Sequence, residues 1–197
     1  MNTARHYDLL IEEDNDPFRD SPLLQAYMDQ WDGQRFIDCM QLHSSKTALE
    51  IGIGTGRIAA KVAPHCLHLT GIDLSEKTIV RAAENLSAHR NITLICDDFS
   101  THSFDETYDV VYSSLTLMHF NDKQAFINKA ASLLKQNGIF CLSIDKNPSE
   151  SIDMGCRKLK IYPDTLESTL AVVDLASLLV TEHFETEMAH IIVCTKR

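Results

Sequence analysis

Three alternating glycines carry the strongest chemical signal in this sequence. Residues 49–57 read LEIGIGTGR, with Gly52, Gly54 and Gly56 in alternation and Glu50 two residues before the first glycine. Glycine lets a backbone turn tightly and lets a ligand approach without meeting a Cβ atom. An apolar run precedes this stretch and a helical pattern follows it, so we predict a strand-to-helix loop that binds a nucleotide cofactor.

An aspartate after the next apolar run indicates the kind of cofactor. Asp73 lies 73 − 54 = 19 residues beyond Gly54. At the end of a strand its carboxylate can accept hydrogen bonds from both ribose hydroxyls of an adenosine. A dinucleotide fingerprint that began at Gly52 would need glycine at position 57, where this chain has Arg57. The pattern therefore keeps the ribose carboxylate but departs from the dinucleotide spacing.

The elements that must position these residues alternate between strands and helices from residue 47 onward. Short apolar runs predict strands, and the amphipathic stretches between them predict helices. Such alternation is typical of a parallel sheet with helices on its faces, and the short link at residues 185–187 allows only an antiparallel pair of late strands. The predicted strands are Thr47–Ile51, His68–Ile72, Ile92–Cys96, Tyr108–Ser113, Ile139–Ile144, Leu178–Phe184 and Ala189–Thr195. The predicted helices are Arg57–Ala63, Glu76–Leu86, Lys123–Leu134 and one near Asp164–Leu175.

The part of the chain before residue 47 has a different character. Residues 1–20 are polar and acidic, which predicts a mobile start or a flap. Ser21 followed by Pro22 is typical of a helix start. The apolar positions of this predicted helix are Leu24, Tyr27, Met28 and Trp31. A second short helix is predicted after Gly33.

From about Thr47 to Ile144, these features together resemble the class I S-adenosylmethionine-dependent methyltransferases. The resemblance implies an α/β fold, a Rossmann-like, doubly wound sheet of seven mostly parallel strands. Its antiparallel last strand would lie beside the fifth. We therefore expect an N-terminal flap and helical cap at residues 1–46 and an S-adenosylmethionine-binding methyltransferase domain at residues 47–197, within one structural domain.

The resemblance also implies roles for individual residues. The glycine loop would hold the amino acid part of S-adenosylmethionine, Asp73 would bind the ribose, and Leu74 would pack on the adenine. An acid after the third strand would lie near the adenine amine; Asp97 matches best and Asp98 is the second choice. Residues 108–114 resemble the fourth-strand motif that lines the methyl-transfer site. The implied cofactor-binding residues are Glu50, Gly52, Gly54, Thr55, Gly56, Asp73, Leu74, Asp97, Asp98, Phe99 and Ser113.

The acceptor side depends on fewer residues. Methyl transfer is an in-line displacement, and it needs a base only if the acceptor carries a proton that must leave. His119, just after the fourth predicted strand, is the candidate base; the alternative is a histidine that packs against a lid. Tyr27 and Trp31 are predicted to bind the substrate, with Tyr7 as a further candidate, and core packing is the alternative for these aromatic residues.

The composition of the chain argues against several classes of binding partner. The chain has 28 acidic residues against 18 Lys and Arg, a net charge of −10, which argues against a nucleic-acid partner. No apolar run approaches the roughly 18–20 residues of a membrane span, so we expect no membrane partner. No Cys/His cluster has zinc spacing, so no metal is predicted. The six cysteines predict buried free thiols in a cytoplasmic protein.

Several acceptor classes lack their motifs here. The chain has no Asn/Asp-Pro-Pro-aromatic stretch after the fourth strand, no Pro-Cys setting for attack on cytosine, and no carboxylate set of the magnesium-dependent catechol type. A small-molecule methyl acceptor is therefore expected. The alternatives are a non-catalytic adenosyl-cofactor-binding protein, an aminopropyl transferase and a nucleic-acid methyltransferase. The oligomeric state is left open.

Overall fold

The computed structural model describes residues 2–197 as helices packed on a central sheet. The helices are α1 (Thr3–Glu12), α2 (Pro22–Met28), α3 (Gly33–Asp38), α4 (Ala59–Val62), α5 (Glu76–Asn85), α6 (Lys123–Ser132) and α7 (Leu166–Leu175). The strands are β1 (Thr47–Ile51), β2 (His68–Asp73), β3 (Ile92–Cys96), β4 (Tyr108–Ser114), β5 (Leu134–Asp145), β6 (Ser151–Asp153), β7 (Lys158–Lys160), β8 (Leu178–Glu185) and β9 (Ala189–Lys196). None of the helices within residues 2–197 is long and apolar enough to cross a membrane.

The large sheet has the strand order β3-β2-β1-β4-β5-β9-β8. The pairs β1–β2, β1–β4, β2–β3 and β4–β5 are parallel, whereas β9 is antiparallel to both β5 and β8. The order reverses between β1 and β4, which is the switch point where open α/β sheets bind ligands. This topology confirms the predicted doubly wound sheet with its antiparallel last strand beside the fifth.

Both faces of the sheet are covered by apolar layers. Side chains alternate along a strand, so Val110 and Tyr112 of β4 join one layer and Val111 joins the other. Helices α3, α4 and α5 cover the first layer, and α6 and α7 cover the second. The loops at the carboxyl edge of the sheet are therefore held by a rigid base.

Residues 1–20 differ from the predicted mobile start, because they contain the docked helix α1. Asp8 accepts hydrogen bonds from the Ser75 hydroxyl (2.8 Å) and from the Lys77 amide (3.2 Å) at the amino end of α5. The Lys77 ammonium also bonds to Glu12 (2.6 Å). An anion at a helix amino end is favourable. The polar residues that suggested mobility are therefore the ones that attach this helix.

Several other helix and strand boundaries differ from the predicted ones. Helix α2 ends at Met28, so Trp31 lies beyond it, and α6 ends at Ser132 rather than at Leu134. Strand β5 begins at Leu134 instead of Ile139, because Leu134 already pairs with Tyr108; the register then shifts, and Val110 pairs with Ile139. The β6–β7 hairpin lies in a segment for which the sequence pattern predicts no element.

All six cysteines are free, but they are not uniformly buried. Cys66, Cys141 and Cys194 are buried, whereas Cys96 and Cys156 are exposed. The prediction of a buried Cys96 is wrong because β3 is an edge strand, where fewer neighbours cover the side chains.

Candidate active site

A cavity of about 730 Å3 lies at the carboxyl ends of β1, β2 and β4. It is lined by the glycine loop, by residues that follow β2, β3 and β4, and by Thr3, Ala4 and Tyr7 of α1. Helix α1, which lies in the segment predicted to be a mobile start or a flap, therefore forms part of the cavity wall.

The three loop glycines have different tasks. All have positive φ, at 77° for Gly52, 56° for Gly54 and 93° for Gly56. A Cβ atom on Gly52 would lie 2.1 Å from Oγ1 of Thr116, and one on Gly56 would lie 2.7 Å from Cδ1 of Leu86. A Cβ on Gly54 would meet no atom within 4 Å. Gly52 and Gly56 thus permit the fold of the loop, whereas Gly54 leaves space open.

Asp73 is held in place by two backbone amides. The Gly54 N–H donates to Oδ2 (3.0 Å) and the Ser75 N–H donates to Oδ1 (3.0 Å). Burial raises the pKa of Asp73, and these amide hydrogen bonds oppose that rise. A carboxylate offers about four lone-pair sites, so about two remain for a ligand. That is the number a pair of neighbouring hydroxyls needs.

Glu50 is an almost fully buried acid. Its side chain is 3% exposed, and Oε2 accepts a hydrogen bond from the Tyr112 hydroxyl (2.8 Å). Burial raises the pKa of Glu50 to about 8. The nearby Arg57 is already paired with Asp32 (2.5 Å) and Asp29 (2.9 Å). Within residues 2–197 no cation forms a salt bridge to Glu50.

The end of β3 contributes a second group of cavity residues. The amide of Asp97 donates to the carbonyl of Asp73 (3.0 Å), which fixes the two loops side by side. The Asp97 carboxylate accepts from the Asp98 amide (2.8 Å) and contacts Nδ1 of His102 (2.8 Å), and the His102 hydrogen bond lowers the pKa of Asp97. Leu74, Asp97, Asp98 and the buried Phe99 all line the cavity beside Asp73.

His119 contacts Tyr7, a residue far from it in the sequence. Its Nε2 lies 2.8 Å from the Tyr7 hydroxyl, and the two rings are perpendicular at 89°. Burial, followed by the charges of His6 and Lys123, lowers the pKa of His119 to about 4. Burial and the charge of Asp73 raise the pKa of Tyr7. Both groups are therefore uncharged near neutral pH.

Some predicted site residues lie away from the cavity. The Ser113 side chain is buried and donates to the carbonyl of Ile51 (2.9 Å), and its neighbour Ser114 lines the cavity instead. Tyr27 is half exposed and Trp31 packs against the first apolar layer. The residue of α2 that lines the cavity is Met28, the last residue of the helix. Neither Tyr27 nor Trp31 lines the cavity.

Several lining residues had no sequence signal. They lie in α1, α2, the turn after β4 and the segment after β7, and their types are common in any core. They are Thr3, Ala4, Met28, Leu115, Thr116, Met118 and Tyr162. Leu115 has a φ of 56°, which is rare for a large residue, but a backbone angle leaves no mark in a sequence. No group of three or more metal-ligating side chains occurs within residues 2–197.

Comparison with known proteins agrees with this geometry. Residues 49–142 match the family model described as a methyltransferase domain. Over these residues the resemblance to the class I S-adenosylmethionine-dependent methyltransferases is confirmed. The matched stretch covers the glycine loop, the acids after β2 and β3, and the turn that carries His119.

Curated relatives differ in the share of their own length that this chain spans. Phosphoethanolamine N-methyltransferase 1 of Triticum aestivum is 27% identical over 117 residues, which span 56% of this chain and only 24% of that protein. Nodulation protein S of Sinorhizobium fredii is 29% identical over 158 residues, covering 75% of this chain and 70% of the relative.

A solved structure shows the same fold along the whole chain. The N-methyltransferase NodS of Bradyrhizobium japonicum, in complex with S-adenosylhomocysteine, has a TM-score of 0.75 at 20% identity and covers 100% of this chain and 99% of its own. At that identity the likeness shows the fold alone.

Proposed function

We propose that this chain binds S-adenosylmethionine in the cavity and transfers its methyl group to a small-molecule acceptor. The observation that carries the proposal is Asp73, whose carboxylate is oriented by two backbone amides and keeps acceptor capacity for a pair of hydroxyls. It lies at the end of β2 beside the open face of Gly54, in a sheet of the methyltransferase family.

The surrounding residues fit the rest of the cofactor. Leu74 and Phe99 offer apolar surface for an adenine, with Asp97 as the acid near its amine and Asp98 as the alternative. The loop at residues 52–55 fits the amino acid part. Glu50 lacks a salt-bridge partner within residues 2–197, which suits a ligand that is cationic at its amino group and its sulfur. When bound, the cofactor supplies a methyl group on a positively charged sulfur.

The acceptor side of the cavity favours an uncharged molecule. Ala4, Tyr7, Met28, Met118 and Tyr162 line it, and all of them are apolar or aromatic residues. The two basic residues of the lining are already engaged, one in ion pairs and one with carbonyl oxygens; they are Arg57 and Lys129. An anionic acceptor would therefore lack a free cation among the described lining residues.

The chain's contribution to the reaction is alignment, removal of water and acceptance of a proton. A closed cavity that holds both reactants in line can supply much of the acceleration of a displacement. We propose His119 as the base for an acceptor that carries a proton, residues 1–46 as the cap over the cofactor, and residues 47–197 as the cofactor-binding domain. We also propose a cytoplasmic location, which rests on the six free cysteines.

Calorimetry with S-adenosylmethionine and S-adenosylhomocysteine tests the cofactor. We expect stoichiometric binding to the wild type. An absence of binding of both compounds would overturn the proposal.

Release of S-adenosylhomocysteine over a panel of small hydroxyl, amine and thiol compounds tests the transfer. We expect turnover with at least one uncharged acceptor. Cofactor binding without turnover on a broad panel would favour a non-catalytic adenosyl-cofactor-binding protein, and turnover only with an RNA or DNA would favour a nucleic-acid methyltransferase.

A further inference from the structure

The ring of His119 is shielded from a ligand on both of its nitrogen atoms. Nε2 is covered by the Tyr7 hydroxyl at 2.8 Å. Nδ1 is buried and has no hydrogen-bond partner within residues 2–197. Tyr7 itself lines the cavity. A proton that moves from a ligand to this ring must therefore pass through the Tyr7 hydroxyl.

We propose that Tyr7 takes the proton that leaves the methyl acceptor and passes its own hydroxyl proton to Nε2 of His119. This inference rests on the proposed methyl transfer. The bond from the acceptor atom to its hydrogen breaks as a bond from Tyr7 Oη to that hydrogen forms. The original Tyr7 hydroxyl proton ends on Nε2. The acceptor atom gains the methyl carbon, and the electron pair of the broken carbon–sulfur bond stays on sulfur.

The charges in the cavity suit such a relay. Before transfer the ring is neutral and the positive charge lies on the sulfonium; afterwards it lies on the imidazolium. The number of charges in the buried space is unchanged, so no new charge must be desolvated. Burial keeps Tyr7 protonated, because it raises the pKa of the phenol. Tyr7 thus serves as a carrier of a proton and not as a standing phenolate.

Tyr7 can act in this way only because α1 is fixed in place. Asp8, the next residue, bonds to Ser75 and to the Lys77 amide at one point of the helix. Glu13, just beyond its last turn, forms an ion pair with Arg157 of the segment before β7. These contacts hold the helix at both ends of the cavity wall, so the Tyr7 hydroxyl stays at one position over the ring.

The tautomer of His119 tests the inference without cofactor or acceptor. The relay needs a lone pair on Nε2 and the ring proton on Nδ1. Long-range nitrogen–proton NMR of the free wild type should show an unprotonated Nε2 and a protonated Nδ1, and Tyr7→Phe should shift the Nε2 resonance. A ring proton found on Nε2 in the wild type would overturn the inference.

A second test compares kcat on two phenols as methyl acceptors, measured at about pH 9 by the release of S-adenosylhomocysteine. Phenol, with a pKa of about 10, must lose its proton during transfer, whereas 4-nitrophenol is already largely ionised. General base catalysis contributes typically about 100-fold or more, so Tyr7→Phe should lower kcat on phenol by about that factor and on 4-nitrophenol by less than about fivefold. Thr181→Val, which removes a hydroxyl from the exposed edge strand β8, should leave both rates unchanged.

Equal losses on the two phenols, or no loss on phenol, would overturn the inference. If the wild type methylates neither phenol, the position of the ring proton on His119 is the test that decides the inference. Binding of S-adenosylhomocysteine to Tyr7→Phe should stay within about threefold of the wild type. A loss of cofactor binding in the wild type itself would instead refute the proposed function, so the two failures are distinguishable.

Discussion

The buried acid Glu50 should destabilise the free protein near neutral pH. Its pKa is raised from an ordinary value of 4.5 to about 8, so between these values the folded chain binds more protons than the unfolded chain. The free energy of unfolding therefore falls as pH rises through this range. From pH 4.5 to pH 7 the loss is about 3 kcal/mol, because each pKa unit corresponds to about 1.4 kcal/mol. Glu50→Gln removes the titration and keeps an oxygen that can accept the Tyr112 hydrogen bond.

Urea unfolding followed by circular dichroism at several pH values between about 5 and 8 measures this effect. The Glu50→Gln variant should match the wild type near pH 5 and exceed it by about 2–3 kcal/mol at pH 7. Glu167→Gln, an exposed site on α7, makes the same change in net charge and should show no such pH-dependent gap. Equal stabilities of Glu50→Gln and the wild type at pH 7 would refute the reasoning.

The same substitution should have the opposite effect on cofactor binding. A cationic ligand beside Glu50 favours the carboxylate, so the wild type should release close to one proton when it binds S-adenosylmethionine near pH 7. Calorimetry in two buffers of different ionisation enthalpy counts that proton. Glu50→Gln should bind more weakly and release no proton. Proton release that persists in the variant would assign it to another group.

The remaining predictions concern the carboxylate of Asp73 and the loop glycines. Asp73→Asn should weaken S-adenosylhomocysteine binding by about 30- to 1000-fold, since hydrogen bonds to a charged group contribute about 2–4 kcal/mol together; Asp105→Asn, at an exposed site, should bind as the wild type does in the same calorimetric titration. Gly54→Ala should lower the thermal stability by no more than about 1 kcal/mol, the strain of a positive φ, because the added methyl group contacts no other atom of the chain. It should nevertheless weaken that binding, because the methyl group would occupy space that the ligand needs. Gly52→Ala should lower both stability and binding, since its Cβ would lie 2.1 Å from Thr116 Oγ1; thermal melts that rank Gly54→Ala as the less stable variant would contradict this division of tasks.

Much of the sheet could be predicted because its strands are rich in apolar residues and its central strands are buried. Apolar runs define such strands well, and the bounds of β1 and β3 match the prediction residue for residue. The glycine loop and Asp73 were predictable for a similar reason: a loop with three positive φ angles requires glycine, and the carboxylate follows at a spacing set by one βαβ unit.

The acceptor side could not be predicted in the same way. Tyr7 and His119 are 112 residues apart, and no local pattern connects them. Helix α1 is attached to α5 by polar groups such as Asp8 and Glu12, and polar residues of this kind are also typical of a solvated segment. Ser113 and Ser114 are neighbours in β4 whose side chains point to opposite faces, and only Ser114 lines the cavity. An error of one residue in the predicted register therefore assigns the wrong serine to the cavity.

The position of the cavity-lining residues along the chain has an evolutionary consequence. Ala4, Tyr7, Met28 and Tyr162 all lie outside the stretch that matches the family model, residues 49–142, while the residues proposed to hold the cofactor lie inside it. Under the proposed function, acceptor preference can therefore change through substitutions in the flanking segments while the residues proposed to hold the cofactor stay intact. Exchange of residues 1–46 and 148–163 between homologues is thus a rational route to new acceptors, because it changes several of the proposed acceptor-side residues and leaves the residues proposed to hold the cofactor in place.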